Sequence, residues 1–175
     1  MTASASPIGP LLDRRLVALL VTLVAAATIG TALVFQYGLG YLPCALCLLQ
    51  RWPYYVGLPL GLAAIALAPQ PLLGRLALAA LGATFLVSAG LGVYHAGVEW
   101  SWWLGPSDCG GAAAPAAGSM DQFLAQLETT RVVSCTEAAW RFLGLSMAGW
   151  NAVVSLGLAG LAFAAAARGP GRRRA

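Results

Sequence analysis

Four stretches of this chain carry no charged side chain and are almost wholly apolar: residues 16–35, 52–68, 76–93 and 148–167. Nothing else in the sequence restricts the fold as severely. Each is close to the roughly 20 residues a helix needs to cross about 30 Å of hydrocarbon, and within a bilayer such a segment must satisfy its own backbone hydrogen bonds. The expected fold is an all-α membrane protein. It is a bundle of four transmembrane helices, at about 16–35, 45–68, 76–95 and 146–167, with a long outer loop at 99–142. A chain of 175 residues has room for one domain, and 59% apolar against 9% charged residues suits a bilayer rather than water.

The charges give the orientation. All ten basic residues are arginines, and seven of them (Arg14, Arg15, Arg75, Arg168, Arg172, Arg173 and Arg174) lie between or outside the apolar runs. Five of the six acids fall between Glu99 and Glu137. A net charge of +4 distributed in this way is a topology signal and not a nucleic-acid patch. An even number of spans puts both termini on one side, and the positive-inside rule makes that side the cytoplasm. The tails 1–15 and 168–175, and Arg75 in the turn between spans two and three, are then cytoplasmic, and the 99–142 loop faces outward. The first run follows two arginines, as a signal peptide would. It exceeds the 7–15 residues of a signal core and has no convincing cleavage site, so it is expected to be a retained span.

Residues 1–13 read as a short tail of little structure. Gly38 and Gly40 break the helix in the outer turn at 37–42, and Pro43 suits the first turn of the second helix. Pro69 and Pro71 are expected to close that helix on the inside, and Pro53 and Pro59 to kink it. Gly57 and Gly61 have helix-dimer spacing, read here as close packing within the bundle. In the loop, 110–118 is nearly all Ala and Gly. Ser119 then begins a capping box with Gln122, and Met120, Phe123, Leu124 and Leu127 share one helical face, which predicts a short interfacial helix. Trp100, Trp102 and Trp103 belong at the same interface.

Cys44 and Cys47 form a C-x-x-C at the start of the second span. Two thiols near a helix N-terminus gain thiolate character from the macrodipole, which favours exchange chemistry. Arg51 lies four residues beyond Cys47 and seven beyond Cys44, so all three share a helical stripe. An arginine at membrane depth costs about 3 kcal/mol on insertion scales and marks a functional site by default; the alternative is an arginine snorkelling to the outer headgroups. Cys109 and Cys135 form a second pair 26 residues apart. By itself such a pair reads as a structural disulfide. Against that, the loop between them has almost no core to staple, and Cys135 sits just inside a second capping box, Ser134 to Glu137. A zinc site built from the four cysteines is disfavoured by the wide spacing of Cys109 and Cys135. His95 ends the third span at the outer level of Cys44, either as a satisfied interfacial side chain or as a site residue. No Ser-His-Asp set, phosphate loop or paired-carboxylate site is visible, and the acids are scattered too far outside for a proton channel.

Phe35-Gln36-Tyr37, then Pro43-Cys44-Ala45-Leu46-Cys47 with Arg51 four residues later, resembles the start of the second span in DsbB, the disulfide-bond formation protein B family. Cys135 with Trp140, then Phe142-Leu143-Gly144-Leu145, Met147 and Trp150, resembles the same family's approach to the fourth span. The likeness covers most of residues 16–167 and is weak in the alanine-rich loop centre. It implies a quinone-linked thiol oxidase of the bacterial inner membrane that reoxidises a periplasmic DsbA-like, thioredoxin-fold protein. In that scheme Cys109 forms the mixed disulfide with the partner and Cys135 exchanges with Cys44. Cys47 is left as the thiolate facing a membrane quinone, ubiquinone or menaquinone, beside Arg51, and His95 corresponds to a family histidine near the quinone. Two other readings are open to the sequence. A vitamin K epoxide reductase-like oxidoreductase normally carries its C-x-x-C near the last span, whereas here it opens the second. A membrane scaffold would keep Cys109 and Cys135 as an inert staple.

Overall fold

The computed structural model of the protein describes residues 13–106, 118–121, 124, 131–132 and 134–168. Cys109 lies outside the described residues, as do the 1–12 tail, most of the Ala/Gly stretch, Gln122, Phe123 and Leu127 of the expected loop helix, and residues 169–175. In that loop Met120, Asp121 and Leu124 are helical.

Helix α1 runs Arg14–Leu33 and widens into a single π-helical turn, Val34–Gly38. Gly40, at φ 71°, lets the backbone turn into the short strand β1, Tyr41–Leu42. The expected second helix is two helices, α2 (Ala45–Leu49) and α3 (Trp52–Leu67). Pro53 explains the break: it has no N–H for the Leu49 carbonyl, and its ring collides with that carbonyl, so α2 ends there. Pro59 is carried inside α3 without interrupting it.

Helix α4 spans Pro71–Glu99. Pro71 therefore opens the third long helix instead of closing the one before it, in the first position where a missing N–H costs nothing. Arg75 lies in the second turn of α4, not in the connecting turn. At its other end α4 closes in a Schellman motif, with Trp102 N–H on Gly97 O at 2.9 Å and Ser101 N–H on Val98 O at 3.1 Å; Ser101 takes the left-handed position at φ 58°. Strand β2 is Arg131–Val132. Strands β3 (Arg141–Phe142) and β4 (Leu145–Ser146) form a hairpin before helix α5, Met147–Ala167. Among the described residues, three helical stretches are long and apolar enough to cross a membrane: α1 with its π turn, α4 and α5. At 16 residues α3 rises only about 24 Å, short of about 30 Å of hydrocarbon.

The chain forms two compact units. One contains Met1–Ala27, Pro53–Ser88 and Val154–Ala175. Its helices approach closely where glycine permits: a Cβ on Gly61 would strike the Thr22 hydroxyl, and one on Gly57 would meet the Phe85 ring at 2.9 Å. This is the close packing read from their spacing. Buried polar groups here are paired, with Tyr54 Oη 3.1 Å from Ser155 Oγ, which donates to Ser88 Oγ at 2.9 Å. Arg14 donates to the Arg168 carbonyl at 2.6 Å and Arg75 to the Ala166 carbonyl at 2.9 Å. The starts of α1 and α4 and the end of α5 thus meet, with arginines covering the last carbonyls of α5.

The other unit contains Thr28–Trp52 and Ala89–Val153. Here Gly92 lets α4 and α5 touch: a Cβ would meet Ala152 N at 2.8 Å and Ala148 O at 3.0 Å. Strand β1 pairs in parallel with β2, Tyr41 opposite Arg131 and Leu42 opposite Val132. That pairing brings the backbone three residues before Cys135 beside the backbone two residues before Cys44.

Candidate active site

Cys44 is not in the first turn of a helix but stands just outside it, as the N-cap of α2. Its sulfur accepts the Cys47 backbone N–H at 3.2 Å, and its thiol donates to Cys47 Sγ at 2.8 Å. The bond to Cys47 first, and burial second, push the Cys44 thiol up to about 12. The lowering expected from a helix start is outweighed, since a five-residue helix adds little macrodipole. Cys44, Cys47 and Cys135 are all in the thiol form.

Cys135 is fully buried and forms one apolar cluster with Cys44, Leu46 and Val98, with Cys47 packed against it. The helix predicted at Ser134 does not form. Ser134 Oγ accepts the Thr136 N–H at 3.2 Å, but this makes a local turn, and bends follow up to the hairpin at Arg141. Cys135 therefore owes its position to the β1–β2 pairing and to burial, not to a helix N-terminus.

His95 is 3% exposed, and its Nε2 stands 3.9 Å from Cys44 Sγ. Its other ring nitrogen, Nδ1, is 2.6 Å from Gln50 Nε2. That amide nitrogen can only donate, and it also faces the Leu46 carbonyl at 3.5 Å. Nδ1 is therefore the acceptor, and the ring proton sits on Nε2, toward the sulfur. Asn151 Nδ2 donates to Gln50 Oε1 at 2.7 Å and holds the amide in this sense. Glu99, one turn beyond His95, places Oε1 3.9 Å from Nε2.

Arg51 lies in the break between α2 and α3, so the continuous stripe expected for Cys44, Cys47 and Arg51 is interrupted. Its guanidinium donates through Nη1 to Gln36 Oε1. Arg51 Nε is buried with no hydrogen-bond partner among the described residues, a donor fit for an acceptor such as a quinone carbonyl oxygen. The cysteine pair, His95 and Cys135 are thus gathered by the fold, and Arg51 is directed by Gln36.

Residues 14–165 match the family described as "Disulfide bond formation protein DsbB". The chain belongs to the DsbB family. It is 33% identical over 141 residues to a disulfide bond formation protein B of Marinobacter nauticus, covering 77% of this chain and 80% of that one. Against the protein of the same name in Xanthomonas campestris it is 30% identical over 142 residues, covering 78% and 81%. For that of Actinobacillus pleuropneumoniae the figures are 30% over 137 residues, 75% and 74%. With its long apolar helices this DsbB-family chain is a multi-pass membrane protein of disulfide bond formation, a disulfide oxidoreductase by family.

Sequence reasoning missed Gln50, Asn151 and Glu99 in this member of the DsbB family. Asn151 had a signal, an amide in the first turns of an otherwise apolar span. So did Glu99, four residues after His95 on one helix face.

Proposed function

We propose that this protein reoxidises a periplasmic DsbA-like thiol protein and passes the electron pair to a membrane quinone. One observation carries the reading: Cys44 Sγ touches Cys47 Sγ at 2.8 Å and also lies within 4.8 Å of Cys135 Sγ, so one sulfur can exchange with either neighbour. A thiolate of the partner attacks Cys109 in a Cys109–Cys135 disulfide, releasing Cys135 as thiolate. Cys135 then attacks Cys44 in a Cys44–Cys47 disulfide; the 135–44 bond forms, the 44–47 bond breaks, and Cys47 leaves as thiolate. When the partner's second thiol resolves the mixed disulfide, Cys109 is released and attacks Cys135, returning Cys44 in reduced form.

A bound quinone, ubiquinone or menaquinone, supplies the sink for two electrons and two protons. Arg51 would hold a quinone oxygen through its unpartnered Nε, with Gln36 fixing the guanidinium. His95 Nε2–H, beside Cys44, would stabilise negative charge on that sulfur during exchange. We place the protein in the bacterial inner membrane with four spans, α2 and α3 together making the second. Arg14, Arg75 and Arg168 are then cytoplasmic and the cysteines periplasmic.

The test mixes purified protein, quinone and reduced DsbA-like protein and follows quinol formation. Replacing any one of Cys44, Cys47, Cys109 or Cys135 with serine is expected to abolish it. Undiminished activity in Cys47→Ser would sink the reading.

A further inference from the structure

Three soft ligand atoms from separate parts of the sequence meet in the interior. Cys44 Sγ, His95 Nε2 and Cys135 Sγ are all buried and lie within 4.8 Å of one another. Around a tetrahedral zinc ion, with Zn–S about 2.3 Å and Zn–N about 2.0–2.1 Å, such atoms stand roughly 3.5–3.8 Å apart. The Cys44–His95 separation is 3.9 Å, so side-chain adjustment suffices to seat an ion.

Two further features suit a cation. Metal-binding histidines use their second nitrogen to hold an outer acceptor, and His95 Nδ1 already sits 2.6 Å from the Gln50 amide. Capture requires the Gln50 amide and the Asn151 amide that holds it to turn over together, so that Gln50 Oε1 accepts Nδ1–H, Asn151 Oδ1 accepts from Gln50 Nε2, and the Nε2 lone pair of His95 faces the sulfurs. Independently, Glu99 is 5% exposed at its side chain, stands 3.9 Å from Nε2, and has its Oε2 buried with no hydrogen-bond partner among the described residues. A buried carboxylate oxygen left this way is costly, and a positive ion beside His95 relieves it.

We propose that the reduced protein captures one thiophilic divalent cation, Zn2+ or the softer Cd2+, on Cys44, Cys135 and His95. Thiolate and imidazole donors select such ions over Mg2+ and Ca2+. Capture forms two metal–sulfur bonds and one metal–nitrogen bond, releases one proton from each thiol, and transfers no electrons. Sulfurs whose lone pairs are held by the ion attack disulfides and become oxidised more slowly than free thiolates, so the ion favours the reduced protein. That consequence rests on the proposed relay, whereas the binding does not.

The test is a titration of the reduced, full-length protein in detergent with Cd2+ alone, following the ultraviolet thiolate-to-metal band, with neither quinone nor thiol partner present. Wild type is expected to bind one equivalent, and Cys47→Ser and Cys109→Ser to retain it. Oxidised protein should bind none. Cys44→Ser, Cys135→Ser and His95→Ala should each weaken binding at least tenfold, His95→Cys should restore it, and Gln50→Leu should cost about tenfold. Circular dichroism confirms that each variant is folded. A band unchanged in His95→Ala and Cys135→Ser but lost in Cys47→Ser would put the ion on the C-x-x-C alone and overturn the proposal, as would the absence of any band in reduced wild type. Because quinol formation plays no part in this titration, its failure and that of the proposed relay remain distinguishable.

Discussion

Gln50 donates its side-chain amide N–H to Nδ1 of His95 at 2.6 Å, which fixes the ring proton on the nitrogen facing Cys44. Removing that donor leaves a buried ring nitrogen unsatisfied, at about 1–3 kcal/mol. Gln50→Leu should lower stability by about that amount in mixed-micelle unfolding. Gln50→Glu, whose carboxylate accepts instead of donating, should move the proton to Nδ1. Nitrogen chemical shifts of the imidazole read the tautomer directly, and shifts identical to wild type would refute the assignment.

Cys44 holds its proton up to about pH 12, chiefly through its bond to Cys47. A raised thiol pKa means that the reactive thiolate is scarce throughout the neutral range and appears only as pH approaches that value. In reduced protein, Cys44 should therefore resist iodoacetamide from pH 7 to 10. Cys47→Ala removes the largest cause and leaves burial, so Cys44 should alkylate at distinctly lower pH in that variant. Mass spectrometry of the Cys44 peptide against pH decides; superimposable profiles would exclude control by Cys47.

Much of this was legible in advance, for identifiable reasons. The long helices showed because a bilayer tolerates so few charges, and Cys44 with Cys47 showed because their spacing is local. The division of the second helix was foreshadowed by Pro53, but its position one turn earlier follows from the Leu49 carbonyl, which the proline neither bonds nor clears. The meeting of Cys135 with Cys44 was hidden because it depends on a two-residue parallel pairing, Tyr41–Leu42 with Arg131–Val132, too short to leave a periodic signal. Ser134 misled because its hydroxyl makes the same bond to the Thr136 N–H in a turn as in a helix cap.

Among the described residues, Arg51 Nε is a buried donor without a hydrogen-bond partner. Arg51→Lys preserves the charge but loses the planar fork, including the bond to Gln36. If Nε serves a quinone oxygen, the loss of one charge-assisted bond, about 1.5 kcal/mol, corresponds to a roughly tenfold rise in KM for quinone. KM for the thiol partner should stay put. Equal changes in both would show a general structural effect.

Gly92 and Gly90 offer a matched pair on α4. A Cβ at Gly92 would sit 2.8 Å from Ala152 N and 3.0 Å from Ala148 O, both backbone, whereas at Gly90 it would meet nothing within 4 Å. Backbone cannot yield as a side-chain tip can, so Gly92→Ala must push α4 from α5 at an overpacking cost of about 1–3 kcal/mol. Asn151, beside this contact in sequence, should lose its geometry to Gln50. Gly90→Ala should be neutral or slightly stabilising. Thermal unfolding of both in detergent checks this, and equal Tm values would contradict the close packing.

Leu143 and Gly144 form the two-residue turn between β3 and β4, with φ 52° and 83°. Both central residues are left-handed, as in a type I′ hairpin turn, which favours Asn-Gly over Leu-Gly. A leucine held there costs about 1–2 kcal/mol in backbone strain, and its side chain, 80% exposed, recovers little by packing. The hairpin still forms because Arg141 pairs with Ser146 and the Trp150 indole donates to the Phe142 carbonyl at 3.0 Å. Leu143→Asn should therefore stabilise the protein by about 1 kcal/mol without touching the cysteines, and Gly144→Ala should destabilise it by a similar amount although nothing lies within 4 Å of its Cβ. Opposite shifts in Tm for the two substitutions would establish backbone conformation, not side-chain contact, as the cause.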